Sequence, residues 1–178
     1  MMVEVVVAKL GIDGTTNAYV VILQEKEGSR LLPIWIAQPE AESIVLQMKH
    51  VRRERPMTHD LAKNIVVGLG ATLRRVHITK VEKNTYFAEL HLVRDEHLVQ
   101  VDARPSDSIA IALRFGAPIF AESSLLIEPE GDGDDEDATD ITPDAPGGES
   151  GTTGPMSAEE LKEHLEKLRP EDFGKFSL

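Results

Sequence analysis

The chain of 178 residues contains no cysteine, and aromatic residues make up only 4% of it. Without cysteine there is no disulfide framework, no thiolate metal site and no cysteine nucleophile. Any bound metal would have to use Asp, Glu, His or backbone oxygen. One Trp, two Tyr and five Phe are too few for an extended base-stacking platform. Long apolar runs are missing as well: none approaches the roughly 18 residues of a membrane-spanning helix. Met1–Leu10 lacks the basic start, long apolar stretch and small-residue cleavage site of a secretory leader. The expectation is a soluble, cytoplasmic protein with no membrane contact.

Positive charge is absent from one region only. The formal net charge is −12, yet residues 1–127 hold 15 acids and 15 bases. Residues 128–158 hold 10 acids and no base, and residues 159–178 hold 6 acids and 4 bases. The acidity therefore belongs to one segment, and whole-chain charge does not exclude a phosphate-bearing partner for the first 127 residues.

Three regions follow from composition: a folded domain at 1–127, a linker at 128–156 and a short C-terminal element at 157–178. The linker is rich in Asp, Glu, Gly and Pro, with Ile141 as its one large aliphatic residue before Met156. It cannot bury enough apolar surface to offset the entropy of ordering, so it is expected to be disordered. Beyond it, Ser157 and Glu160 form a capping-box pattern, and Leu161, Leu165 and Leu168 share one face of a short amphipathic helix stopped at Pro170. An isolated helix of about three turns is marginal in water. It therefore docks on its own core, on a sister subunit or on a protein partner.

Within 1–127 the pattern reads as strands at Val3–Val7, Ala18–Leu23 and Leu31–Ile36, then a helix from near Pro39 with Ala41, Ile44, Val45 and Met48 on one face. A second helix runs from Thr58 as N-cap, with Leu61, Ile65 and Leu69 in a stripe and Gly70 after it. Strands at Thr72–Val81, Tyr86–Val93 and Leu98–Ala103 follow, with turns at Lys83-Asn84 and Asp95-Glu96. A third helix spans Pro105–Phe115, and Ile119-Phe120 allows a short strand. The order β-β-β-α-α-β-β-β-α lacks regular βαβ alternation and points to an α+β fold, a mixed or antiparallel sheet with helices packed on it. Trp35, within an apolar strand, is expected to be buried.

Three places concentrate polar groups at helix starts. Glu40 lies in the first turn after Pro39, where an acid suits the helix dipole. In Arg55-Pro56-Met57-Thr58-His59-Asp60, the dipole disfavours a His59 cation, and a neutral imidazole there could accept a proton or bind a metal. In Asp102-Ala103-Arg104-Pro105-Ser106-Asp107-Ser108, the strand period places Asp102 and Arg104 on one side. Asp107 falls in the first helical turn, with its carboxylate able to meet free backbone N–H groups. Each also has an ordinary reading as a helix start or an internal Asp–Arg pair. If they converge, Glu40, Asp60, Asp102 and Asp107 could supply an oxygen-rich Mg²⁺ or Mn²⁺ site with His59 as base or ligand. Arg52, Arg53 and Arg55, with Lys49, form either a phosphate-binding patch or a solvated inter-helix loop. His77, His91 and His97 read as surface or packing residues.

These blocks carry a family resemblance. Leu32-Pro33-Ile34-Trp35-Ile36 with Glu40-Ala41, Arg55-Pro56-x-Thr58-His59-Asp60-Leu61 and Val101-Asp102-Ala103-Arg104-Pro105-Ser106-Asp107-Ser108-Ile109-Ala110 resemble the signature blocks of the bifunctional nuclease domain, over residues 1–127. Ala37 stands where that family usually has Gly. The resemblance implies an α+β fold, a homo-oligomer and a nuclease acting on DNA and RNA. The residue roles remain those read above. Asp102, Asp107, Glu40 and Asp60 would hold the divalent cation, His59 would relay a proton, and Arg104 with Arg52, Arg53 and Arg55 would hold phosphate. The alternative is a non-enzymatic ligand- or protein-binding module with the C-terminal helix as its docking element.

Overall fold

The computed structural model describes residues 1–129 apart from Thr15. The acidic linker from residue 130 on and the C-terminal helix at 157–178 fall outside the described residues. Strands β1 (Met2–Ile12), β2 (Tyr19–Glu25) and β3 (Leu31–Ile36) form a meander, followed by helices α1 (Gln38–Met48) and α2 (Thr58–Gly68). A second meander of β4 (Thr72–Glu82), β5 (Thr85–Arg94) and β6 (His97–Ala103) precedes α3 (Pro105–Phe115), β7 (Ile119–Glu122) and a 3₁₀ turn at Ser123–Leu125. One seven-stranded sheet runs β3-β2-β1-β7-β4-β5-β6. All its pairings are antiparallel except β7 with β4. The short β7 thus sews the two meanders together.

Local chemistry accounts for these elements. In β1, Val5 is buried, with Val3 and Val7 packed beside it on the core. A register shift between Val7 and Lys9 then moves the next core position to Leu10. Both hairpins of the second meander turn on two left-handed residues, Lys83-Asn84 (φ 49° and 60°) and Asp95-Glu96 (φ 47° and 64°). This backbone matches the twist of the flanking strands. Gly116, at φ 65°, ends α3 in the left-handed conformation that a side chain would strain.

The helices cover one face of the sheet. Val76, Ile78, Ala88, Ile119 and Ala121 turn toward them and meet Ile109, Ala110 and Ala112 of α3, all buried. α3 packs against both α1 and α2 while lying on β4 and β5. Strand alternation sends Arg75, His77, Glu89, His91 and Phe120 to the opposite face. There the His77 and His91 ring centroids lie 4.1 Å apart with the planes tilted by 44°, and His91 Nε2 lies 3.3 Å from Glu89 Oε2. Among the described residues no helix is long and apolar enough to cross a membrane.

Two expectations need correction, the burial of Trp35 and the N-cap of α2. Trp35 is 53% exposed, because Leu32 and Ile34 take the core-facing positions of β3 and alternation turns Trp35 outward. The stripe Leu61, Ile65 and Leu69 on α2 is also exposed, at 53, 52 and 62%. Instead Ala62 faces the core, small enough for close approach to α3. The helix is fastened by polar bonds: Arg114 Nε donates to Asp60 Oδ1 at 2.6 Å, and Lys63 Nζ donates to the Arg114 carbonyl at 2.7 Å. The N-cap of α2 is Met57, with Thr58 already helical. Asp60, three residues on, accepts the Met57 N–H at 2.9 Å.

The Asp60–Arg114 pair clamps α2 to α3, and the Arg114 side chain is 5% exposed. Breaking a buried pair strands a charge at a cost of about 3–5 kcal/mol. Asp60 keeps 34% exposure, so Asp60→Ala is expected to cost less, about 2 kcal/mol, in urea unfolding. Burial, with the charges of His91 and Arg75, holds His77 below its ordinary pKa of 6.5, against the opposing pull of Glu89. The unfolded chain therefore binds this proton more readily. The stabilisation is complete above pH 6.5 and drains as the pH falls through the folded value. Thermal melts between pH 7 and 5 should show that decline, with a shallower slope in His77→Phe.

Candidate active site

Three helix starts meet on the helix-bearing side of the sheet. Pro39 and Pro105 occupy the first turns of α1 and α3, where a missing N–H costs nothing. Glu40 and Asp107 follow them in those turns, and His59 is the second residue of α2. Arg104, the N-cap of α3, lies between the two acids. Its Nη2 donates to Glu40 Oε1 at 2.6 Å and to Asp107 Oδ1 at 3.1 Å, while its Nε donates to Asp107 Oδ2 at 2.7 Å. These bonds, to Asp107 and then Glu40, raise the Arg104 pKa further, so the guanidinium stays charged at every working pH.

Burial pushes the Asp107 carboxyl up, but the hydrogen bonds from Arg104 and His59 outweigh it and hold the net value below the ordinary one. Asp107 is therefore an anion. Facing it at 3.0 Å, His59 Nε2 carries the proton and donates to Oδ1. The other ring nitrogen, Nδ1, then accepts from the Ser43 hydroxyl at 2.8 Å. The result is a directional chain, Ser43 to His59 to Asp107, with Arg104 behind the carboxylate. Asp107 thus serves His59 and Arg104 through its side chain, a use distinct from the backbone-capping role its position allows. The chain lines a cavity of about 200 Å³ together with Pro39, Glu40 and Met57. Glu40 Oε2 is buried there without a partner among the described residues.

Of the residues singled out from the sequence, Glu40, His59, Arg104 and Asp107 come together. Asp60 is one residue from His59, but its carboxylate is taken up by Arg114 and the Met57 N–H. Those contacts outweigh burial and lower its pKa. Asp102 lies elsewhere. Ala103 packs on the core, so Asp102 projects from the opposite face, in register with Glu89 on β5. Arg104 escapes the strand's alternation because the chain has already turned into α3. Arg52, Arg53 and Arg55 are exposed in the segment before α2, with Arg53 Nη2 3.3 Å from Glu42 Oε1. Ser43 carries no motif, and a serine inside an apolar helical face signals nothing. Its one sequence clue is the three-residue spacing from Glu40, which puts both on one side of α1.

Among the described residues, no group of three His, Asp or Glu side chains stands in position to hold a metal ion. The donor set explains why. Both oxygens of Asp107 and of Asp60 are engaged by guanidinium, imidazole or backbone N–H groups. Glu40 Oε2 is left as the open carboxylate oxygen of the cluster, where an octahedral Mg²⁺ would seek about six oxygens. Arg104 supplies the positive charge between Glu40 and Asp107.

Residues 21–131 match the bifunctional nuclease domain family. The chain is 37% identical over 177 residues to an uncharacterized protein of Mycobacterium tuberculosis, across 97% of this chain and 98% of that one. It is 33% identical over 109 residues to bifunctional nuclease 2 of Arabidopsis thaliana, covering 59% of this chain and 33% of the plant protein. Similarity to bifunctional nuclease 1 of Oryza sativa subsp. indica is 29% over 105 residues, or 57% of this chain and 32% of that one. The match takes in all three helix starts and the hydrogen-bonded chain they assemble, and the protein belongs to the bifunctional nuclease domain family.

Proposed function

We propose that the chain hydrolyses phosphodiester bonds of nucleic acid in the cavity between α1, α2 and α3. The observation that carries this reading is the Ser43–His59–Asp107 chain, backed by Arg104, in a member of a nuclease family. Arg104 binds a non-bridging phosphate oxygen through Nη1, which has no hydrogen bond to another described residue. Water enters the cavity beside the Ser43 hydroxyl. It gives its proton to Ser43 Oγ as the Ser43 hydroxyl proton passes to His59 Nδ1, and Asp107 stabilises the imidazolium that forms. The water oxygen bonds to phosphorus, the ester P–O bond opposite it breaks, the leaving oxygen takes a proton from solvent, and His59 returns its proton to solvent. Arg52, Arg53 and Arg55 contact neighbouring phosphates through the salt-sensitive electrostatic term.

Direct attack by Ser43 Oγ is a second reading, favoured by its 2.8 Å contact with His59. Attack breaks one ester P–O bond and releases one strand end as an alcohol, which takes the proton held by His59. It leaves the other strand joined to Ser43 through a phosphodiester, detectable by mass under single-turnover conditions, which water then hydrolyses. Self-association is proposed as well, supported by the exposed α2 stripe.

Purified protein mixed with single- and double-stranded DNA and RNA, with and without EDTA, tests the reading. His59→Ala and Asp107→Asn are expected to lower kcat about 10²–10⁴-fold, while Asp102→Asn leaves it unchanged. Full activity in His59→Ala would overturn the site. Cleavage is expected to persist in EDTA. Loss with EDTA and rescue by Mg²⁺ or Mn²⁺ would instead place a cation on Glu40 and the substrate phosphate. In sedimentation, Ile65→Lys is expected to reduce the assembly to single chains.

A further inference from the structure

A second cavity adjoins the first. Its volume is about 430 Å³, within the ~300–1,000 Å³ of small-molecule sites. It is lined by Trp35, Ala37, Asn84, Tyr86, Arg104 and Pro105, among others. The end of β3, the β4–β5 turn and the β6–α3 junction therefore meet there, although β3 and β6 are opposite edges of the sheet. Arg104 lines both cavities. This guanidinium is thus shared between the relay cavity and the larger one.

Trp35 is the unusual member. It is the one tryptophan of the chain and is 53% exposed, where an indole normally serves to bury apolar area. Its Nε1–H donates to Asp13 Oδ2 at 3.0 Å, which fixes the ring's orientation without covering it. Among the described residues no other aromatic ring packs against it. Tyr86, packed against the core, supplies a second aromatic side chain in the lining. The other walls mix apolar residues such as Ile36 and Pro105 with the polar Asn84, Thr85 and Ser106, and Asn84 is held in the tight β4–β5 turn. A flat, oriented, half-bare indole beside a cation that can hold phosphate is the chemistry that receives a nucleobase.

We propose that this cavity is a base-binding subsite in which an unpaired nucleobase stacks on Trp35 while its phosphate is held at Arg104. The inference rests on the nuclease reading and deepens it. A base inside a duplex offers no free face to Trp35, so the subsite takes single strands, loops or frayed ends. The scarcity of aromatics argues against a long stacking platform, and one well-placed indole is a smaller device that composition does not exclude.

The unique tryptophan makes its own probe. The full chain is titrated, with fluorescence excited at the indole, using adenosine 5′-monophosphate, a single-stranded oligonucleotide and ribose 5-phosphate as the base-free control. The nucleotide and the oligonucleotide are expected to quench Trp35, and ribose 5-phosphate is not. Trp35→Ala is expected to weaken single-strand binding and raise KM about 5- to 100-fold with little change in kcat. Trp35→Phe restores most of the loss, while Trp35→Leu, apolar but not aromatic, does not. The half-exposed position lets these variants fold. Cleavage without quenching, or a Leu variant equal to Phe, overturns the subsite and leaves the nuclease reading standing. Quenching with aromatic rescue but no cleavage supports the subsite and removes the nuclease reading. A chain that neither binds nor cleaves any nucleic acid overturns both.

Discussion

The guanidinium of Arg104 is the constraint on which the site depends. Two helices begin with an acid in their first turn, Glu40 on α1 and Asp107 on α3, and each is favoured there by its own dipole. Brought together without a cation, the two carboxylates would repel, and one would take up a proton. Arg104 sits at the strand-to-helix junction and bonds both, so its charge offsets their repulsion at close quarters. From the Asp107 anion the rest follows by hydrogen-bond logic. It sets the tautomer of His59, which in turn points its free lone pair at Ser43.

The site also explains the behaviour of α2. Its 3.6-residue periodicity is real, but a periodic pattern says only that two faces differ, not which one turns inward. The side against α3 carries His59, Asp60, Ala62 and Lys63, bonded through Asp107, Arg114 and the Arg114 carbonyl. Polar bonds to α3 hold the helix, and the leucine-rich side is left outside. Where a helix delivers a functional residue inward, the apolar stripe is free for another surface.

Charge and topology divide in a similar way. The net −12 lies beyond residue 127, leaving a formally neutral domain in which a few arginines can act on phosphate. Across the sheet, one strand position separates Asp102 from Ala103 and sends the acid to the face opposite the relay. The residues that had looked like one carboxylate cluster are thus split between two faces. What remains at the relay is an arginine-neutralised pair with one open oxygen, a donor set different from the carboxylate cage that four acids in a row of motifs suggest.

The sequence by itself determined the elements. The α+β class, three helix starts, both left-handed hairpin turns and the glycine stop of α3 all follow from interactions within a few residues of one another. Glu40, His59, Arg104 and Asp107 were legible for the same reason, since helix N-termini announce themselves locally. Only the tertiary structure decided which of these termini meet and which partner each oxygen takes. It also drew in Ser43 and decided which face of the sheet Asp102 and Trp35 take. Those outcomes depend on contacts between residues as far apart as Glu40 and Arg104, whose geometry is set by packing α1, α2 and α3 on one sheet.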